Sequence, residues 1–313
     1  MTAPLRILFM GTPDFACPSL QALLHGPDTV IAAICQPDRR KGRGRKLAPP
    51  PVKAQALEAG LTVLQPESVR TPEFLAQVRE LAPDLIVVVA YGKILPKALL
   101  EAAPLGAINV HGSLLPRYRG AAPIQWAVLN GDRETGVTIM QLDEGMDTGD
   151  ILRTATLAIS PEDTAGSIFT RLAELGGPTL VETIQELKAG RITPQPQDHS
   201  QASMAPMLTK EQGHIDWSRP AEEVHATIRG LDPWPSAYGF LGGKRFRFFS
   251  PQLVAKPAAE PPGTVARADG QGLLIATGTD YLQLAEIQPE GKKRMSVQAC
   301  LCGTPIQAGD LFS

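Results

Sequence analysis

The sequence predicts an α/β protein in which a Rossmann-like parallel-sheet domain is followed by a smaller, OB-like β-barrel domain. In the first half of the chain, short apolar runs alternate with helical patterns, as a parallel sheet covered on both faces requires. In the last third, short alternating runs are separated by Gly and Pro, which is typical of a small barrel. The length of 313 residues also favours two hydrophobic cores over one.

Four central strands are predicted in the first domain, and each ends in residues typical of turns. The strands are the runs 7–10, 30–35, 84–90 and 107–111. Helical patterns lie between them, near residues 15–25, 52–60, 72–81 and 96–103, each with a proline close to its first turn. Because ligands of such sheets bind outside the carboxyl ends of the strands, we expect the chemistry in the loops that follow these strands.

The remaining elements divide the chain into two domains and a linker. A strand over 151–159 and a long helix over 164–189 complete the first domain, residues 1–189. The polar, proline-bearing stretch 190–208 is typical of an interdomain linker. Residues 209–313 then form the barrel domain, with a helix near 221–231 and strands near 237–241, 245–249, 272–276 and 281–287.

Composition and charge argue against several classes of protein. A formal net charge of −2 gives no overall attraction to nucleic acid, so such a contact needs a local cluster of charge. The apolar run 7–10 is too short for a signal sequence or a membrane span, and we expect a cytoplasmic protein without membrane contact. The four cysteines form no C-x-x-C pair, and we expect no metal.

Several common catalytic motifs are missing from the sequence. The loop after the first strand lacks the G-x-G-x-x-G turn, so a Rossmann-like sheet here need not bind a dinucleotide. The sequence also has no H-E-x-x-H zinc motif and no G-x-S-x-G nucleophile elbow. Mechanisms that use a covalent intermediate or a metal are therefore disfavoured.

Two polar residues end the fourth predicted strand. Strand alternation places Asn109 and His111 on one face, with Val110 on the other. An amide that donates a hydrogen bond and an imidazole that can donate one are suited to polarising a carbonyl and holding an oxyanion. A structural histidine and a turn-capping amide would explain the same pattern. The position of the pair at the ligand-binding edge of the sheet favours the catalytic interpretation.

A second polar cluster lies in the Gly-bounded loop at 142–151. Its acidic residues are Asp143, Glu144, Asp147 and Asp150. Loops held by a rigid scaffold often carry catalytic residues, but a solvated acidic loop would explain any one of these side chains. The pattern alone does not select one acid.

Four motifs together resemble the methionyl-tRNA formyltransferase family. They are M-G-T-P-D-F-A from residue 10, Q-P-D-R-R-K-G-R-G from 36, N-V-H-G-S-L-L-P-R-Y-R-G-A-A-P-I-Q from 109, and G-M-D-T-G-D-I from 145. The N-V-H-x-S-L-L-P and D-T-G elements belong to the wider group of enzymes that use 10-formyltetrahydrofolate. I-D-W at 215 and D-P-W-P at 232 narrow the resemblance, which spans nearly the whole chain.

The resemblance implies a reaction and a role for each motif residue. The free α-amine of methionyl initiator tRNA would attack the formyl carbon on N10 of the folate co-substrate, and tetrahydrofolate would leave. Asn109 and His111 would stabilise the oxyanion, while Asp147 would keep the imidazole charged and help to remove the proton of the amine. The residues implied in folate contact are Ser113, Leu114, Leu115 and Pro116.

A basic run follows the second predicted strand, with six basic residues in eight positions. Such a run is usually solvated, but the resemblance implies that it contacts the acceptor end of the initiator tRNA, where phosphate attraction is suitable. Lys210 is a further implied tRNA contact, although Met207 stands where relatives usually carry a lysine. The basic run consists of Arg39, Arg40, Lys41, Arg43, Arg45 and Lys46. Two further clusters, 244–247 and 292–294, could extend the contact.

Three alternative functions share part of this pattern. A formyltransferase for a small amine, such as a sugar nucleotide, would use the same catalytic residues without the basic run. A tRNA-binding protein without turnover would not need Asn109, His111 and Asp147 intact. A formyltetrahydrofolate hydrolase would replace the amine by water. We expect the protein to be a monomer.

Overall fold

A computed structural model describes residues 3–41 and 46–313. Its strands are β1 (Arg6–Gly11), β2 (Thr29–Ile34), β3 (Arg39–Lys41), β4 (Lys46–Ala48), β5 (Val63–Leu64), β6 (Leu85–Val89), β7 (Ala107–His111), β8 (Glu134–Gln141), β9 (Ile151–Ala158), β10 (Tyr238–Leu241), β11 (Lys244–Pro257), β12 (Val265–Asp269), β13 (Gly272–Ala276), β14 (Asp280–Pro289) and β15 (Met295–Ser296). Its helices are α1 (Cys17–Leu24), α2 (Pro51–Glu58), α3 (Pro72–Leu81), α4 (Lys97–Leu100), α5 (Pro123–Leu129), α6 (Ala165–Lys188), α7 (Ala221–Gly230) and α8 (Val297–Leu301).

The first sheet has the strand order β5-β2-β1-β6-β7-β8-β9. Strands β5, β2, β1, β6 and β7 are mutually parallel, whereas β8 pairs antiparallel with β7. The predicted Rossmann-like sheet is therefore confirmed, and its four predicted central strands correspond to β1, β2, β6 and β7. We did not predict β8, whose run of β-branched residues is interrupted by Gly136.

Burial explains why the central strands are nearly continuous apolar runs. Every residue of β6 and β7 is buried, because helices or loops cover both faces of a parallel sheet. The helices begin with local signals that the sequence carries. In α3, the Thr71 side chain accepts a hydrogen bond from the Phe74 amide at 3.3 Å, and Pro72 occupies the first turn. The chain thus returns to the sheet at defined points.

The second sheet is antiparallel, as predicted for the second domain. Its strand order is β10-β11-β14-β13-β12, with β15 paired to β14. Aromatic side chains fill its core, where the Phe312 ring lies 5.1 Å from that of Phe248 and 5.6 Å from that of Phe246. Trp217 also packs edge-on against Phe248, at 5.3 Å between ring centroids.

Two compact units form in the chain, and each includes more than one segment. The first consists of Met1–Gly120, Thr135–Leu157 and Phe169–Met204. The second consists of Ala121–Glu134, Ala158–Ile168 and Ala205–Ser313. The sequence predicts a continuous first domain over 1–189 and a linker over 190–208. In the structure, two segments of that domain belong to the second unit, and most of the predicted linker belongs to the first unit.

None of the helices among the described residues combines the length and apolar character that a membrane crossing needs.

Candidate active site

Asn109 and His111 lie at the carboxyl end of β7, the last of the parallel strands. Both side chains are buried, with exposed fractions of 9% and 6%. Across the antiparallel pair they stand opposite Met140 and Thr138 of β8. Alternation along β7 points both side chains to one face of the sheet, as predicted from the sequence.

The His111 ring has a backbone carbonyl on one side and a carboxylate on the other. Nε2 lies 2.9 Å from the Tyr118 carbonyl oxygen. Because a carbonyl oxygen can only accept, we assign the proton to Nε2. Nδ1 faces the Asp147 carboxylate, 3.6 Å from Oδ2, which is longer than a hydrogen bond. Nδ1 is therefore the ring atom that remains available for proton exchange on the Asp147 side.

Asp147 is held in an unusual backbone conformation. Its φ of +53° is in the left-handed region, which residues other than glycine rarely adopt. Its Oδ2 accepts a hydrogen bond from the Gly120 amide at 2.8 Å, so the carboxylate is fixed between Gly120 and His111. Of the four acids in the loop, Asp147 is the one that faces the His111 ring. The Asp143 carboxylate is already occupied by the Thr148 hydroxyl and the Gly145 amide.

The Asn109 amide differs from the other polar groups of the site. Among residues 3–41 and 46–313, no hydrogen bond is made by its side chain, although the residue is buried. An amide without a protein partner at this edge of the sheet can exchange hydrogen bonds with water for hydrogen bonds with a ligand. Asn109 can therefore donate to an oxygen atom bound in front of β7.

The turn Ser113–Pro116 is anchored by hydrogen bonds to Arg117 and to Thr138 of β8. The Ser113 hydroxyl donates to the Arg117 carbonyl at 2.7 Å, and the Ser113 carbonyl accepts from the Thr138 hydroxyl at 2.7 Å. Ser113 and Leu115 are buried, whereas Leu114 and Pro116 are partly exposed. The turn thus offers apolar surface rather than a free hydroxyl.

The basic run lies partly on a described hairpin. Strands β3 and β4 pair antiparallel, and the side chains of Arg39 and Arg40 on β3 are exposed. Backbone positions are described for Lys41 and Lys46, while Arg43 and Arg45 lie outside the described residues. In the second unit, Lys210 is exposed.

An acid anchors the base of this hairpin. Asp38 accepts from the Lys53 ammonium at 2.8 Å and from the Gln65 amide at 2.8 Å. These hydrogen bonds, first that of Lys53, lower the pKa of Asp38 below its ordinary value. The strand that carries Arg39 therefore starts from a fixed point.

Two functional neighbours of the site were missed from the sequence. Gln197 and Arg119 are both buried, and the Gln197 amide donates to the backbone of Asp147. Gln197 lies in a polar stretch typical of a linker, so no local pattern distinguished it. Among the described residues, no group of three or more His, Cys, Asp or Glu side chains could hold a metal ion.

Comparison with known proteins defines the class to which this fold and site belong. Residues 5–184 match the family model described as formyl transferase, and residues 207–305 match the model for the formyl transferase C-terminal domain. The chain is 62% identical over 304 residues to the methionyl-tRNA formyltransferase of Desulfotalea psychrophila, covering 97% of this chain and 94% of that protein. It is 50% identical to that of Trichlorobacter lovleyi, covering 98% of this chain and 96% of the relative. The chain belongs to the methionyl-tRNA formyltransferase family.

Two solved structures of other proteins share the fold. An N-formyltransferase from Helicobacter canadensis, in complex with folinic acid and dTDP-3-aminofucose, superposes with a TM-score of 0.67 at 18% identity. It covers 91% of this chain, and 99% of that structure is matched. HypX from Aquifex aeolicus in complex with tetrahydrofolic acid has a TM-score of 0.63, over 99% of this chain and 50% of its own.

Proposed function

We propose that this chain transfers the formyl group of 10-formyltetrahydrofolate to the free α-amino group of methionyl initiator tRNA. The observation that carries the proposal is the grouping of Asn109, His111 and Asp147 at the end of β7, with the Asn109 amide unpaired among the described residues. Family membership supports the same reaction, because the relatives named above are methionyl-tRNA formyltransferases.

The Asn109 amide acts on the oxygen of the formyl group, together with Nδ1 of His111 when that atom carries a proton, because the Nε2 proton is donated to the Tyr118 carbonyl. The co-substrate supplies an electrophilic carbon bound to N10, and negative charge develops on its oxygen as the amine approaches. A donor that is fixed before the reaction stabilises this charge without reorganisation, and it acts in a site from which water is largely excluded. The burial of Asn109 and His111 fits this requirement.

Asp147 acts on the proton that the amine must lose. The amine nitrogen forms a bond to the formyl carbon, the bond to N10 breaks, and the proton of the amine ends on N10 of the leaving tetrahydrofolate. The Asp147 carboxylate, which lies 3.6 Å from Nδ1 of His111, can accept that proton directly or through water and pass it on to N10. No nucleophilic side chain is required.

The turn Ser113–Pro116 is the proposed folate contact. Leu114 and Pro116 carry its exposed apolar surface, and buried Ser113 and Leu115 hold its shape through hydrogen bonds. The faces of the folate rings can lie on such an apolar surface, while polar groups near the ring edges set the orientation. The rigid turn then places the formyl carbon in front of Asn109.

The proposed tRNA contacts are the basic run and Lys210. Exposed Arg39 and Arg40 give positive charge on a fixed hairpin, which attracts phosphate groups. The assigned residues are Arg39, Arg40, Lys41, Arg43, Arg45, Lys46 and Lys210. In this proposal residues 1–189 carry catalysis, residues 209–313 assist tRNA binding, and the enzyme acts as a cytoplasmic monomer.

The basic clusters at 244–247 and 292–294 differ in how much of their positive charge is available to attract phosphate groups. Lys244 is exposed, and Arg245 lies over the Tyr238 ring at 5.7 Å, which leaves a charged and aromatic surface. Arg294 instead forms ion pairs with Glu286 at 2.6 Å and Asp232 at 3.1 Å. Its positive charge is therefore balanced by carboxylates of the second unit. We assign a role in tRNA contact to the first cluster rather than to Arg294.

One assay tests the reaction and its alternatives. Purified protein is given 10-formyltetrahydrofolate with methionyl initiator tRNA, methionyl elongator tRNA, a small sugar-nucleotide amine, or no acceptor. We expect transfer to initiator tRNA in preference to the other acceptors. Absence of that transfer contradicts the proposal, preferred transfer to the small amine supports the sugar-nucleotide alternative, and loss of formyl without an acceptor supports the hydrolase.

Two variants separate catalysis from tRNA binding in the same assay. Asp147→Asn should lower turnover by roughly 10²- to 10⁴-fold and leave tRNA affinity unchanged, because it removes a proton acceptor. Arg43→Ala with Arg45→Ala should instead raise KM for tRNA and reduce the salt dependence of binding by about one unit per lost contact. Arg191 is also exposed, and Arg191→Ala is the matched control for the loss of a positive charge. Equal effects on KM from all three would contradict the assigned roles.

A further inference from the structure

Residues 195–203, called the strap below, form hydrogen bonds with the backbone of Tyr118 and of Asp147, the two residues that flank the His111 ring. The Ser203 hydroxyl accepts from the Tyr118 amide at 2.9 Å, and Tyr118 supplies the carbonyl at Nε2 of His111. Gln197 donates to the Asp147 carbonyl at 2.9 Å, and Asp147 supplies the carboxylate at Nδ1. The two partners of the imidazole are thus attached to one short stretch of chain.

Both partners adopt a backbone conformation that needs external support. Tyr118 has φ +63° and Asp147 has φ +53°, and neither is a glycine. Residues other than glycine remain in this region only where the surrounding structure holds them, and such positions cluster at active sites. The strap supplies hydrogen bonds at both positions.

The Gln197 amide has a defined polarity. Its Nε2 donates to the carbonyls of Asp147 at 2.9 Å and Gly149 at 2.8 Å. Its Oε1 accepts from Nε and Nη2 of Arg119 at 3.1 and 2.6 Å. Because a guanidinium can only donate and a carbonyl can only accept, the amide cannot be reversed. All four hydrogen-bonding positions of the side chain are used, and the residue is 6% exposed.

We propose that Gln197 is a positioning residue that fixes Asp147 against His111 by holding the carbonyls of residues 147 and 149, with Arg119 setting the direction of its amide. The inference rests on the proposed function, since it concerns the same catalytic carboxylate. Gln197 touches neither the imidazole nor the carboxylate and acts through the backbone that carries Asp147. Its contribution is therefore to turnover rather than to substrate binding.

The variant Gln197→Glu tests this role with little change in shape. A glutamate keeps an oxygen towards Arg119 and adds an ion pair to it, but it replaces the donor that faces the two carbonyls by an acceptor. We expect kcat to fall by up to about 100-fold, as for a small displacement of a catalytic group. KM for both substrates should stay close to that of the wild type. Gln195→Ala, at an exposed position of the strap, is the matched control and should keep full kcat.

A double variant distinguishes positioning from general damage to the fold. If Gln197 acts through the Asp147 carboxylate, Gln197→Glu should cost little further in single-turnover reactions when residue 147 is already asparagine. A structural defect would instead multiply the two losses. Multiplied losses, unchanged kcat in Gln197→Glu, or a loss confined to KM would each overturn the inference. Failure of the wild type to formylate initiator tRNA would contradict the proposed function itself, so the two failures are distinguishable.

Discussion

Protonation of His225 in α7 should destabilise the second unit. The His225 ring is buried, and its Nδ1 accepts a hydrogen bond from Nε of Arg229 at 3.1 Å. Arg229 also donates to the Asp163 carbonyl at 2.8 Å. Burial, and then the charge of Arg229, lower the pKa of His225 from 6.5 to about 4, against smaller opposing effects of the Pro251 carbonyl, Glu162 and Glu222. A proton on Nδ1 would point at the Arg229 donor.

The sign and size of the effect follow from the two pKa values. The native state prefers the neutral ring, so the stabilisation is complete above pH 6.5 and is lost as the pH falls from 6.5 to about 4. A change of one pKa unit corresponds to about 1.4 kcal/mol, so His225 can remove at most about 3.5 kcal/mol of the free energy of unfolding. That is a large part of the stability of an ordinary domain.

Urea unfolding between pH 7.5 and 4.5 measures this loss. His225→Gln keeps an acceptor for Arg229 but does not titrate, so its free energy of unfolding should fall less steeply with acidification than that of the wild type. His214→Gln, at an exposed ring of the same unit, is the matched control and should follow the wild type. Parallel curves for the wild type and His225→Gln would refute the reasoning.

Two further predictions concern the catalytic site. Asn109→Ala should reduce kcat by about 10²- to 10³-fold, the usual effect of removing one oxyanion donor, with KM nearly unchanged in steady-state formylation. A loss seen only in KM would contradict that role. Gly149→Ala should also reduce kcat, because its Cβ would lie 1.9 Å from the Gln141 carbonyl oxygen and displace the loop that carries Asp147. Gly303→Ala, where no atom lies within 4 Å, is the control, and equal activity of the two variants would contradict the prediction.

Local sequence patterns predicted the central strands of the first sheet and two of the three proposed catalytic residues, Asn109 and His111. Asn109 and His111 could be placed on one face of β7 because alternation depends only on neighbouring residues. Their position at the carboxyl edge followed from the βαβ pattern, since parallel strands end at the same edge. The role of Asp147 came from the resemblance rather than from the pattern, which could not distinguish it from the other three acids of the loop.

The sequence by itself therefore determined the two-domain α/β class, the family and the polar pair on β7, because periodicity and contiguous motifs are properties of neighbouring residues. The tertiary structure decided which distant residues lie beside Asn109 and His111. Gln197 contacts the Asp147 carbonyl across 50 positions of sequence, and Asp147 reaches Gly120 across 27. The tertiary structure also decided that residues 158–168 belong to the same compact unit as the C-terminal residues 205–313. Such contacts depend on the path of the whole chain, which no local window of sequence contains.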